Sequence, residues 1–430
     1  MPETLPSAPW TLREDLAELI VALEKGNARY VGGAVRDTLL GLEAHDVDIA
    51  TPLEPVEVIA RLDAAGIRSV PTGLKHGTIT AIRKGGNVEI TTLRRDVSTD
   101  GRHAEVAYSH DWQEDAARRD FTINALYADP VTLELFDYFG GLDDLRERRV
   151  RFIGDARQRI REDHLRILRY FRFQARFGSQ PADEEAESAC AELAPTLKGL
   201  SRERIGWELQ NLLVLPDPGP TVARMAQLGV LTVVLPEAEV VGLAALVAEE
   251  VRQDVPPDAL RRLASLLPAD VALAEQVAAR FRLSTAQKKR LACAAGRDKK
   301  ILPGTGRWIA EGETEGSHLP ASAAPDGEVG PLPPSGGPPR SGEDFARALA
   351  YCIGREAAID RLLLTGGETA PLHGWEIPVF PLKGGAIVAR GVAAGPEVAR
   401  ILRAVETQWI GEGFPDEDRV AQLLDKRLAE

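Results

Sequence analysis

Cysteine is scarce in this 430-residue chain: Cys190, Cys293 and Cys352 lie far apart with no Cys-x-x-Cys spacing, which excludes a disulfide framework and a zinc ribbon. A reducing cytoplasm fits that usage. No apolar run approaches the roughly 18 residues a membrane span requires, and no charged-then-apolar leader pattern opens the chain, so neither membrane insertion nor export is expected. Net positive charge is lacking too. With a formal net charge of −13, broad affinity for nucleic acid across the surface is excluded, and any contact with a phosphate backbone has to be local.

What is present concentrates first between Tyr30 and Thr51. Gly32 and Gly33 end the short apolar run 28–31, and without Cβ atoms they let backbone N–H groups come close to phosphate oxygens. Arg36 follows, ready to clamp a triphosphate. From His45 to Thr51 the side chains alternate, Val47 and Ile49 apolar with Asp46 and Asp48 between them, so in a strand both carboxylates point to one face. That face repels itself without a cation. Two such carboxylates suit hard, oxygen-loving Mg²⁺, and a pair of these ions can activate one oxygen and stabilise the leaving one at phosphorus. Alone, Gly-Gly reads as a turn and Asp-Val-Asp as a solvated edge strand; together they point to phosphoryl or nucleotidyl transfer.

At these residues the chain resembles the nucleotidyltransferase superfamily, in the branch of bacterial CCA-adding tRNA nucleotidyltransferases and poly(A) polymerases. Its signature, Gly-Gly-x-Val-Arg-Asp followed by Asp-x-Asp, is matched by Gly32, Gly33, Val35, Arg36, Asp37, Asp46 and Asp48. Four further motifs follow in order. Arg118-Arg-Asp-Phe-Thr-Ile-Asn-Ala125 matches the second, and the resemblance implies that Arg119, Asp120 and Asn124 position the nucleotide's sugar and phosphates. By itself an Arg-Arg-Asp reads as a surface cap at a helix start. Gly141, Asp144 and Leu145 match a Gly-x-x-Asp-Leu motif, at a double-glycine turn suited to act as a hinge. Glu162, Asp163, Arg166 and Arg169 match Glu-Asp-x-x-Arg-x-x-Arg, while Ser201, Glu203, Arg204 and Glu208 match a last, structural motif.

The stretch 161–170 reads as one helix because Leu165, Leu168 and Phe171 recur at i, i+3 and i+6, with Asp163, Arg166 and Arg169 on the opposite face. Taken alone, Asp-x-x-Arg is usually a surface ion pair. The family motif gives it another use. Cytosine and adenine both show an exocyclic amine beside a ring-nitrogen acceptor, and uracil and guanine show the reverse. Asp163 as acceptor and Arg166 as donor would therefore admit C and A and refuse U and G, making protein the template. Between Arg146 and Arg176 there are eleven arginines against four acidic residues, the local basic patch an RNA contact needs.

Along the rest of the chain, Thr11 is expected to cap a helix carrying Leu16, Leu19, Ile20 and Leu23, stopped by Gly26. A helix over 51–65 and a strand over 67–71 follow. The runs 78–83 and 87–93 form a hairpin through Lys84-Gly85-Gly86, and Glu89 on its second strand supplies a third carboxylate for metal. Residues 94–115 carry mixed charge and read as a long mobile loop, in which His110-Asp111 is not a metal pair. Beyond residue 180 only His318 and His373 remain, too few for the phosphohydrolase domain some relatives carry. A Lys383-Gly-Gly-Ala386 segment resembles some relatives' tails, with Ala386 where they have Asp.

The expected fold is therefore α+β. A small mixed-sheet nucleotidyltransferase head (1–140) precedes an all-α neck (141–215), body (216–301) and tail (343–430), the tail expected to contact tRNA, with a Pro- and Gly-rich linker at 302–342. The resemblance implies template-independent CCA addition to tRNA 3′ ends from CTP and ATP, with pyrophosphate released, on two Mg²⁺ ions; the cysteine usage places it in the cytoplasm. Poly(A) polymerase is the alternative, though that branch favours a basic C-terminal extension and this chain is acidic. An A-adding enzyme of partial specificity is another; CC-only addition is disfavoured because the 94–115 segment is present.

Overall fold

The computed structural model describes residues 4–44, 46–99, 104–297, 300–301, 308–309 and 342–430. Two compact units emerge, one of residues 1–212 with 220–236, the other of 213–219 with 237–430. The expected divisions at 140, 215, 301 and 342 are finer than this and remain a proposed subdivision.

The first unit opens with α1 (Glu14–Leu23), which buries Leu16, Leu19, Ile20 and Leu23 along one stripe and carries Glu14 and Asp15 in its first turn, where the helix dipole favours them. Thr11 does not cap it. Its hydroxyl instead closes a 3₁₀ turn over Pro9–Leu12 by bonding Ala8, and Arg13 holds the capping position. There follow β1 (Arg29–Val31), α2 (Gly33–Leu39), β2 (Val47–Thr51), α3 (Pro55–Ala64), β3 (Ser69–Gly73), β4 (Thr78–Ala81) and β5 (Val88–Thr92). Thr51 ends β2 and does not open α3, because Pro55, with φ pre-set and no N–H to satisfy, starts the helix four residues later.

The segment 94–115 is not a loop. It forms β6 (Arg94–Thr99) and β7 (Ala104–Tyr108), paired antiparallel, then enters α4 (Trp112–Ala117), whose N-cap is the Asp111 carboxylate accepting from Gln113 N–H. Backbone pairing carries this hairpin, so its mixed-charge side chains gave no periodic signal. With β8 (Leu126–Ala128) and β9 (Leu135–Asp137), the main sheet has the order β3-β4-β5-β2-β1-β8-β9. Only β2 and β5 run parallel, which makes the sheet mixed, as expected.

The helices of the arginine-rich region pack in the same unit: α5 (Gly141–Arg146), α6 (Ala156–Glu162), α7 (Arg166–Phe177), α8 (Glu184–Leu193) and α9 (Arg202–Leu213), followed by α10 (Gly219–Gln227) and α11 (Val230–Val234). The double-glycine turn before α5 is pinned and is no loose hinge. The Asp137 carboxylate accepts N–H bonds from Phe139, Gly141 and Leu142 at 3.1, 2.9 and 2.8 Å. Nor is 161–170 one helix. α6 stops at Glu162, Asp163 is extended at φ −147° and ψ 105°, and its Oδ1 accepts the Leu165 N–H at 3.1 Å. A short acidic side chain competes for nearby N–H groups and so favours a helix boundary over its interior. α7 is seated by its aromatics: Phe173 and Phe152 each lie 5.0 Å from the Phe121 ring, so the helix and the second motif share one core.

Among its described residues the second unit is helical apart from turns and two paired two-residue strands, Lys300–Ile301 and Trp308–Ile309. It contains α12 (Val241–Arg252), α13 (Ala259–Ser265), α14 (Val271–Arg280), α15 (Thr285–Ala295), α16 (Gly342–Ile353), α17 (Arg355–Leu364), α18 (Gly384–Val388), α19 (Pro396–Gly411) and α20 (Glu417–Ala429). Ile401, Val405 and Trp409 meet Val420, Leu423 and Leu424 in its tail core. An interior ion network ties its other helices: Glu250 accepts from Arg261 at 2.6 Å and Arg262 at 2.8 Å, and Asp360 from Arg261 and Arg290 at 2.9 and 2.6 Å. The expected linker falls outside the described residues, save Trp308–Ile309 and Gly342. Among the described residues no helix is long and apolar enough to cross a membrane.

Candidate active site

A cleft of about 480 Å³ in the first unit is lined by Gly32, Gly33, Arg36, Asp48, Arg118, Arg119, Asp120, Asn124, Asp163, Leu165, Arg166, Arg169, Phe173 and Arg204. Ten of these were expected from sequence, drawn from segments more than a hundred residues apart. Gly32, at φ +75°, makes the turn from β1 into α2, and a Cβ there would meet Arg119 Nη1 at 3.5 Å. The turn thus brings backbone close to a guanidinium, as a polyphosphate site requires.

The acidic side is built by register. Parallel pairing of β2 with β5 sets Asp48 directly beside Glu89, while Asp46 falls just before β2 and is exposed. Burial, then Glu89, push the Asp48 carboxyl up to about 6, with Asp46 adding to the push and Arg119 opposing it. Such a cluster fits a divalent cation, whose charge would relieve it. Among the described residues no three His, Cys, Asp or Glu side chains converge as a complete cage. Mg²⁺ does not need one, because it keeps waters and takes one or two carboxylates together with substrate phosphates.

The opposite wall is a chain of ion pairs. Arg36 is only 6% exposed; its guanidinium bonds the Asp37 carboxylate and Asn124 Oδ1 and lies 4.0 Å over the Phe177 ring. It therefore brings the cleft positive charge more than free donors. Asn124 Nδ2 bonds Asp120 Oδ1 at 3.0 Å, and Arg169 Nε bonds Asp120 Oδ2 at 2.9 Å. Burial works against the Asp120 charge, but Arg169, Asn124 and the Phe121 N–H outweigh it and hold the carboxyl at about 2. Arg119 bonds Tyr127 Oη and the buried Asp115, leaving Nη1 turned toward Gly32. Its motif follows the end of α4; it does not start a helix.

Where base selection was expected, Asp163 and Arg166 both line the cleft, but across a helix break. Glu162 stands behind them, accepting from Arg166 and Arg159 at 2.7 Å each. Sequence reading missed four lining residues, among them Leu165, which was placed on the apolar face opposite Asp163 and Arg166. Arg118 was quoted without a role, Phe173 carried no polar signal, and Arg204 was taken as structural though it bonds Asp163 at 3.1 Å from 41 positions away. Glu208 does act structurally: 1% exposed, it accepts from Arg172 at 2.7 Å and so fixes α9 to α7.

Residues 28–151 match the family described as the poly A polymerase head domain, and residues 182–241 the one described as a probable RNA and SrmB-binding site of polymerase A. The chain is 36% identical over 425 residues to the human "CCA tRNA nucleotidyltransferase 1, mitochondrial", covering 96% of this chain and 89% of that one. It is 41% identical over 221 residues to the "CCA-adding enzyme" of Streptococcus gordonii, 50% of this chain and 52% of that. In fold it is similar to the Bacillus stearothermophilus CCA-adding enzyme solved in complex with CTP, at a TM-score of 0.68 and 24% identity over 98% of this chain and 99% of the other. Identity at that level across nearly its whole length means that the chain belongs to the CCA tRNA nucleotidyltransferase family.

Proposed function

We propose that this enzyme adds C, C and A to tRNA 3′ ends from CTP and ATP without a nucleic-acid template. The observation that carries the reading is the single cleft, which gathers a carboxylate strand, a glycine turn, a wall of arginines and the Asp163–Arg166 pair. The RNA 3′-oxygen attacks the α-phosphorus, a P–O bond forms to the RNA, and the bond to the leaving pyrophosphate breaks.

Asp46 and Asp48, with Glu89 beside them, would hold Mg²⁺. Bound there, the metal supplies charge stabilisation to the attacking and leaving oxygens. Gly32 and Gly33 let backbone approach the triphosphate, and Arg36 and Arg119 offset its charge. Asp120 and Asn124, tied to each other and to Arg169 and Arg36, orient the sugar. Asp163 accepts from the base amine and Arg166 donates to the ring nitrogen or O2. The helical tail is read as a tRNA contact, and a cytoplasmic site of action is read from the scattered cysteines; cell fractionation tests the latter.

The test is tRNA lacking its CCA end, incubated with each labelled triphosphate singly and then together. Two CMP followed by one AMP is the expected product. A lengthening A tract from ATP alone would mean a poly(A) polymerase, and extension only of tRNA already ending in CC would mean an A-adding enzyme.

A further inference from the structure

Asp163 lies outside any helix, at the break between α6 and α7, and an unsupported side chain there would pivot about its own bonds. Two partners hold its two oxygens. Oδ1 accepts the Leu165 backbone N–H at 3.1 Å, and Oδ2 accepts Arg204 Nη2 at 3.1 Å, the same nitrogen lying 3.5 Å from Oδ1. Arg204 comes from α9, a helix anchored to α7 one turn further on by the buried Glu208–Arg172 bond. An ionised carboxylate offers about four lone-pair sites, so both contacts still leave acceptor capacity toward the cleft that Asp163 and Arg204 line together. Arg166 has its own support in Glu162, at 2.7 Å.

We infer that Arg204 is a positioning residue for nucleotide choice: reaching from α9, it holds the Asp163 carboxylate in the one orientation that accepts from the exocyclic amine of cytosine or adenine. This rests on the base-selection reading of Asp163. Base discrimination by hydrogen bonding depends on an acceptor that cannot turn away from the amine, because only a fixed polar group is left unpaired by the wrong base. Loss of Arg204 leaves Oδ1 tethered and Oδ2 free to swing, so the penalty against U and G falls. Both side chains are partly exposed, 44% for Arg204 and 31% for Asp163, which limits the effect to that of a half-open ion pair.

The experiment measures kcat and KM for CTP and UTP on tRNA lacking its CCA end, using the full chain with Arg204→Ala, Arg204→Lys, Asp163→Ala and the double alanine variant, each checked by thermal melting. Arg204→Ala should lower the CTP-over-UTP preference by about two- to fivefold, chiefly through a raised KM for CTP. Arg204→Lys should restore most of it, because a single nitrogen makes the contact. In the Asp163→Ala background, removing Arg204 should change the preference no further. An unchanged preference in Arg204→Ala, where Asp163→Ala has lost its own, overturns the inference and leaves the reading of Asp163 standing. So does an equal loss with and without Asp163, which would mean that Arg204 acts on substrate independently. An unchanged preference in Asp163→Ala overturns the base-selection reading itself and this inference with it.

Discussion

Alanine at position 141 would set a Cβ 2.3 Å from the Thr122 carbonyl oxygen, 2.9 Å from its carbonyl carbon and 3.1 Å from Leu126 Cδ2. Two of those atoms are backbone, and Thr122 cannot yield freely. Its hydroxyl bonds the buried Asp144 at 2.6 Å, and its N–H bonds the Arg151 carbonyl at 3.1 Å. Relief to ordinary contact needs a shift of roughly 1 Å, which in a filled core costs about 1 to 3 kcal/mol. Thr122 opens the 3₁₀ turn Thr122–Asn124, so the displacement passes to Asn124, the residue linking Asp120 to Arg36 on the cleft wall. A misplacement of that size in a positioning group lowers rate by about a hundredfold. Gly140 is the control: at φ +76° an alanine is strained by roughly 1 kcal/mol, but its Cβ would meet only Arg151 Nη2, at an unstrained 3.5 Å. Urea unfolding and kcat/KM for CMP addition are the assays. If Gly141→Ala matches wild type in both, or if Gly140→Ala is the more damaging in rate, the turn is a hinge after all and the packing argument fails.

Asp48→Ala should abolish transfer and leave the melting temperature within a few degrees of wild type; near-normal incorporation would remove Asp48 from the site. The raised Asp48 carboxyl also makes a pH prediction for the metal-free protein. Its folded value of about 6 exceeds its ordinary 3.8, so its contribution to stability is present below about pH 4 and lost as pH rises to about 6. Asp48→Asn should therefore gain on wild type by about 1 to 3 kcal/mol between pH 4 and 7 in chelator, and a pH-independent difference in urea unfolding would contradict it. In the second unit, Glu250→Ala leaves the buried Arg262 without its carboxylate and Arg261 with Asp360 alone, and should cost about 3 to 5 kcal/mol; a loss under 1 kcal/mol would show the network to be dispensable. Asp163→Ala should reduce preference for CTP and ATP over UTP and GTP by about ten- to a hundredfold, read by single-nucleotide incorporation with all four present. Exchanging Asp163 and Arg166 should not invert the choice, since an Asp at 166 would face Glu162; clean incorporation of UTP by the exchanged enzyme would contradict the geometry. The purified protein should not hydrolyse a 2′,3′-cyclic nucleotide, and metal-dependent hydrolysis would refute that.

Local chemistry was legible where the code is local. The alternation around Asp48, the glycines at 32 and 33 and the apolar stripe of α1 depend on residues within a turn or a pleat of each other, so the sequence announces the mixed-sheet head and its carboxylate strand. Side-chain period and backbone freedom are properties of a few neighbouring residues.

What lay beyond a single element had to wait for the fold. Parallel pairing of β2 with β5 is what sets Glu89 beside Asp48, and register between positions 41 residues apart is decided by the whole sheet. The hairpin of β6 and β7 escaped because its ladder is made by backbone groups that every residue carries. At Asp163 the helical period of Leu165, Leu168 and Phe171 was real, yet one capping bond outweighed it and ended α6. Composition and motif together pointed to a mixed-sheet segment with a glycine turn and a carboxylate strand, followed by an arginine-rich stretch at 146–176. Only tertiary packing decided which arginine answers which carboxylate, because an ion pair such as Arg204–Asp163 is chosen by proximity in space, about which a separation of 41 positions says nothing locally.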